Sequence, residues 1–334
     1  MTMLMAIAAM PGPVGAQEAC NAQVLARLTA PAGKGSASYP LTCSVTLQKG
    51  QSIPRGILLK GQNASGVVID CQGGTIGVEG HAAKPSGRIL IQSAQVATVD
   101  DVHWSRPTDI TIRNCRIMGS IRTRGVDPGS NHEREARLSR RPDWTAVAQR
   151  SAPTRIKVVD SEIDAGGAIP LYLGTGTTGF TLSNTKIRGT AVLAIYLDQE
   201  SAQNRIENND IDIIVKGRRE LIAVDGSAHN IIRGNRMAIR SPGGAIRLYR
   251  NCGERGVIRH QTPSFNQVSH NFLIDMVQLN GPGIVENSRS HRKAPYCDLD
   301  KGYPFGSSSD DRDGGHDNDI RENRMVKKHT PDPG

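Results

Sequence analysis

The chain has 334 residues, of which 37% are hydrophobic, 4% aromatic and 22% charged, with 36 Gly and 18 Pro; this argues against disorder, collagen and a multi-span membrane protein. With only four Phe and two Trp, the interior has to be built from Ile, Val, Leu and Ala, which suits strands. The formal charge of +9 favours an acidic partner.

Residues 1–16 read as a signal peptide: an uncharged apolar run from Met3 to Met10, then Val14, Gly15 and Ala16 before Gln17, too short to span a bilayer. The expected product is periplasmic or secreted, with no membrane span. In that compartment the positive charge favours an acidic polysaccharide over nucleic acid. Residues 17–44 are expected to form an N-terminal cap, with Ala19 to Leu28 as a short amphipathic helix. Six cysteines without a Cys-x-x-Cys motif point to disulfides rather than zinc. Of the fifteen pairings open to six cysteines, Cys20 with Cys43, Cys71 with Cys115 and Cys252 with Cys297 is the expected set.

From residue 45 to 326 a pattern apolar-x-x-(Asn/Ser/Thr/Cys)-x-apolar recurs. It starts at Ile112, Val158, Leu182, Ile206, Ile232, Val268 and Ile320, at separations of 46, 24, 24, 26, 36 and 52 residues. A unit of about 24 residues with period-two alternation is a coil of strands, and its return to one register makes a parallel β-helix whose coils bury apolar side chains against one another. The small polar column, Asn235, Asn271 and Asn323 among it, is expected to form an amide ladder at a left-handed turn. Over about Val45 to Met325 the chain resembles the right-handed parallel β-helix proteins of the pectin-lyase-like superfamily. The resemblance implies an all-β, single-stranded right-handed solenoid with an N-terminal capping helix. It implies no substrate, since that scaffold hosts lyases, hydrolases, epimerases and binding proteins. Insertions are expected near 132–151, 253–263 and 287–317, and 327–334 reads as a C-terminal tail.

Each coil carries a second strand, aligned here as Leu171-Tyr172-Leu173-Gly174, Ile195-Tyr196-Leu197-Asp198, Ile222-Ala223-Val224-Asp225 and Ile246-Arg247-Leu248-Tyr249. Apolar first and third places point inward, so the second and fourth project as outward columns about 4.8 Å apart from coil to coil. Asp198, Asp225, Arg247 and Tyr249 are the candidate catalytic residues, with His260 from the following excursion as acid or base. Tyr172 and Tyr196 are expected to stack on sugars, and Arg250 and Arg259 to clamp a carboxylate. Ser307 to Asp319 carries oxygen ligands without EF-hand spacing and reads as a hydrated loop; no cofactor or metal is required, Ca2+ being the one ion this chemistry would suit.

These residues point first to an enzyme acting on an acidic polysaccharide, a lyase or a uronate C5-epimerase, with Arg247 neutralising the carboxylate and His260 or a tyrosine taking the C5 proton. A glycoside hydrolase using Asp198 and Asp225 is the alternative, and a non-catalytic glycan-binding or scaffold solenoid the third. The chain is expected to act as a monomer.

Overall fold

The computed structural model describes residues 17–32, 36–78, 87–96, 103–126, 132–289, 294 and 296–328. The expected signal peptide and most of the expected tail lie outside these residues. Among them, three parallel sheets of nine strands run along the chain, and every strand but the two at the ends of each sheet pairs with its counterpart in the coils before and after. This is the right-handed parallel β-helix. A two-stranded antiparallel ribbon, Ala94–Gln95 with Trp104–Ser105, stands beside it.

The repeat register is the register of one sheet: Ile112 pairs with Val158, then Leu182, Ile206, Ile232, Val268 and Ile320 follow in order. The first six are fully buried, while Ile320 is 38% exposed, because it sits on the last described coil and has a neighbour on one side only. The second apolar place, from Ile117 through Ile163, Ile187, Ile211, Met237 and Leu273 to Met325, stacks likewise in the next sheet. Each buried aliphatic side chain contributes roughly 1.5–3 kcal/mol relative to exposure, so the two columns supply much of the cohesion between coils.

The amide ladder is present. Asn209, Asn235, Asn271 and Asn323 each accept, through Oδ1, the backbone N–H and the side-chain amide of the coil before wherever that residue is Asn, at 2.9–3.0 Å. Their amides also donate inward to the carbonyls of Leu182, Ile206, Ile232 and Val268. The left-handed residue, however, is the one before the ladder: Asn114, Asp160, Asn184, Asn208, Gly234, His270 and Glu322 all have φ between 50° and 68°. That residue turns the chain between sheets and leaves the ladder side chain free to point inward. A second ladder, Asn204, Asn230, Asn266 and Asn318, does the same at another turn.

The N-terminal end is closed by a helix, Ala22–Thr29, whose Asn21 cap accepts the Val24 N–H. Its Leu28 is fully buried against the first coil. Two further helices, His132–Ser139 and Trp144–Ser151, form the expected insertion and carry their own apolar cluster around the fully buried Trp144. The second of them lies directly on Gly176 (φ +77°), where a Cβ would meet the Ala148 carbonyl carbon at 2.4 Å. All three expected disulfides are formed, and Cys252–Cys297 joins the two C-terminal excursions.

Candidate active site

The site lies on the sheet that contains Leu171–Leu173, Ile195–Leu197, Ile222–Asp225 and Ile246–Tyr249. Tyr172 pairs with Tyr196, Tyr196 with Ala223, and Asp225 with Tyr249, so the outward columns are those expected from the alternation. The rings of Tyr172 and Tyr196 stack at 5.1 Å and 5°, and the Arg122 guanidinium covers the other face of Tyr172 at 4.3 Å. Both faces of Tyr172 are thus occupied by the protein itself. The expectation that it stacks on a sugar is corrected: rings stacked from coil to coil run along the solenoid and hide their faces from a ligand.

What the tyrosines do is hold the carboxylates. The Tyr172 hydroxyl donates to Asp198 Oδ2 at 2.6 Å and that of Tyr196 to Asp225 Oδ2 at 2.5 Å. Burial pushes both phenols up, with the adjacent aspartates adding to the effect, so they stay protonated. Arg259 reaches in from the 253–263 excursion and places Nη1 2.8 Å from Asp225 Oδ2 and 3.4 Å from Asp198 Oδ1. Two carboxylates on adjacent coils therefore share one guanidinium, which offsets their repulsion.

The two aspartates are not equivalent. Asp225 is fully buried and takes, besides Tyr196 and Arg259, the backbone N–H and side-chain amide of Asn251 at 2.8 and 2.9 Å. It is a satisfied anion with no face left for a ligand. Asp198 lines a cavity of about 350 Å³ together with Arg122, Arg124, Glu135, Tyr172, Gln199, Glu254 and Arg259. Burial raises its pKa to about 6; Arg259 opposes the rise, and the negative charge of Asp225 adds to it.

A second cavity of about 490 Å³, bounded by Tyr196, Arg219, Glu220, Tyr249 and Tyr296, meets the first at Tyr172 and Glu254. Glu135, from the first insertion helix, accepts the Thr175 hydroxyl at 2.6 Å and the Gln199 amide at 3.0 Å and closes one side of the first cavity. Both elements over the groove are insertions; the scaffold alone provides its floor.

Three candidates stand elsewhere. Arg247 folds back on its own turn, donating to the Gly243 carbonyl at 2.6 Å, and lines a separate cavity beside Val277 and Leu279. An outward place on a strand fixes a Cα, not the course of a long side chain. His260 has Nε2 2.7 Å from the Ser139 carbonyl and its ring against Phe305; it fastens the excursion to the insertion helix and lines neither cavity of the groove. Arg250 is 5% exposed and bonded to Asp310 Oδ1 and the Arg312 carbonyl, a tie between loops. Tyr249 lines the second cavity, where its hydroxyl accepts from Arg219 at 3.0 Å.

Sequence reasoning missed Arg122, Glu135 and Asn251. Arg122 had a signal, since Ile121-Arg122-Thr123-Arg124 alternates in the same register as the later strands and pairs with Tyr172. Glu135 and Asn251 had none, because their places depend on how insertions fold back.

No protein-family model matches the chain, and no curated protein matches it. Two solved structures of the GH136 lacto-N-biosidase from Eubacterium ramulus are similar in fold. The native protein has a TM-score of 0.45 at 11% identity over 89% of this chain and 46% of that one. The selenomethionine derivative has 0.39 at 13%, over 82% and 44%. The chain thus spans less than half the length of those structures, and the likeness is silent on the substrate and site of this chain.

Proposed function

We propose that the protein is an exported glycan-active enzyme that hydrolyses a glycosidic bond, with Asp198 as the general acid and Glu135 as the second carboxylate of the same cavity. The observation that carries this reading is a carboxyl on a cavity wall whose pKa is raised to about 6. Such a group still holds its proton in mildly acidic solution and can deliver it to a leaving oxygen, which is what glycoside hydrolysis asks of one carboxyl while the other remains ionised. Asp225 does not take the second role, because all its contacts are to the protein; its charge adds to the burial that raises the pKa of Asp198, and it anchors Arg259. Glu135 activates water or attacks the anomeric carbon, two courses distinguished by the separation of the carboxyls in the complex.

β-Elimination and epimerisation find less support. Two of the residues expected to serve them, Arg247 and His260, line neither cavity of the groove, and the phenols of Tyr172 and Tyr196 are pushed in the direction that holds their protons and leaves no phenolate to act as base. Three disulfides fit an oxidising compartment, periplasmic or secreted. The test is release of reducing ends from a panel of acidic and neutral glycans, with ultraviolet absorbance of unsaturated uronates followed in parallel. Hydrolysis that falls at least about 100-fold in Asp198→Asn and in Glu135→Gln supports the assignment. Unsaturated products, or full hydrolysis by Asp198→Asn, overturn it.

A further inference from the structure

The 350 Å³ cavity is asymmetric in charge. Its C-terminal side holds Asp198, with Arg259 bound to the aspartates, and its N-terminal side holds Arg122 and Arg124 on a single strand, Ile121–Arg124. Arg88 stands on the neighbouring coil, where Ile89–Gln92 pairs with that strand. Burial lowers the proton affinity of Arg88 and of Arg122, and the charge of Arg124 adds to both. Arg122 makes no ion pair with any described carboxylate at 4.0 Å or less, and its guanidinium is held flat against Tyr172. A half-buried guanidinium pressed by like charge and fixed in orientation costs stability in the free protein, and an anion placed there recovers it.

Gly174, on the coil between those of Arg124 and Asp198, lines the cavity with its backbone. Gln199, 4% exposed and part of the same wall, has a buried Oε1 without a hydrogen-bond partner in the free protein. Two coil spacings separate Arg124 from Asp198, about 10 Å along the stack, which places a charged sugar substituent beside the scissile linkage rather than on it.

We infer that the Arg122–Arg124 end of the cavity is a subsite for a sugar carrying an anionic substituent, a carboxylate or a sulfate, so that the enzyme selects acidic glycans through this subsite. The inference rests on the groove assigned above as the active site, but binding can be read without turnover. The guanidinium of Arg122 takes the anion by its free fork, and Tyr172 holds the fork in place.

Calorimetric titration with trigalacturonate, a sulfated galactan tetrasaccharide and uncharged galactotriose tests this on the wild type, Arg122→Gln, Arg124→Gln and Asp198→Asn. The expected result is at least tenfold tighter binding of one acidic probe than of galactotriose. That preference disappears in Arg122→Gln and shrinks in Arg124→Gln, while Asp198→Asn keeps it even as hydrolysis is lost. Whichever acidic probe binds names the anion. Equal binding of all three probes, absence of binding by both acidic ones, or a preference unchanged in folded Arg122→Gln and Arg124→Gln would refute the subsite. A preference intact in the wild type together with undiminished hydrolysis by Asp198→Asn would instead retain the subsite and reject the assigned acid.

Discussion

Replacing Asp198 by Asn separates the electrostatic cost of this carboxyl from the rest of the structure. The amide can keep the same contacts: its oxygen accepts from the Gln199 N–H and Arg259, and its NH2 donates to a Tyr172 hydroxyl turned to accept. What disappears is titration. Asp198 has a pKa of about 6 in the fold against roughly 3.9 in the unfolded chain. The native state therefore binds this proton more tightly. The contribution is complete below about pH 3, where both states are protonated, and is lost as pH rises through 6. The difference amounts to about 3 kcal/mol. Urea unfolding of wild type and Asp198→Asn at about pH 3 and about pH 7.5 reads it as a difference of differences. The wild type should lose about 3 kcal/mol relative to the variant on going to the higher pH. A constant gap, or a wild type that gains, would refute the account of this carboxyl.

Asp225→Asn should behave in the opposite way, costing about 3–5 kcal/mol at neutral pH because it deprives buried Arg259 of its nearest anion; thermal or urea unfolding checks it. Asn235→Leu should lower stability by roughly 1–3 kcal/mol for each group it leaves unpaired, the Asn209 N–H among them, as read by the urea midpoint. Ile206→Ala should cost about 2–5 kcal/mol, whereas the same change at Ile320, at the open end of the stack, should cost well under half of that. The hydrolytic rate should fall as pH rises above about 6, since the acid must carry its proton; a rate that climbs through that range argues against Asp198 as donor.

The fold was legible because its signals are local. Period-two alternation and a spacing near 24 residues fix the coil, and the register of Ile112 to Ile320 then has no freedom. Cys71 and Cys115 could be paired because they occupy corresponding turns of neighbouring coils. The second asparagine ladder escaped notice because the left-handed residues before it, Gln203, His229, Phe265 and Asp317, share no chemistry; the ladder bonds hold them in that conformation, not their own preference. At the site, the columns of Tyr172, Tyr196, Asp198 and Asp225 followed directly from the register. The meeting of Arg259 and Glu135 with them did not, since residues 132–151 and 253–263 dock by long-range packing that no period encodes. Arg247 failed for a third reason, a side chain long enough to choose another partner than its strand position offers.

The most direct test of the central claim is a crystal structure of Asp198→Asn with a glycan that the wild type cleaves. The account predicts the glycosidic oxygen within hydrogen-bond distance of the side chain at position 198, with Glu135 across the sugar and the chain running toward Arg122. A glycan bound on another face of the solenoid, or one whose linkage lies beyond reach of that side chain, would contradict it.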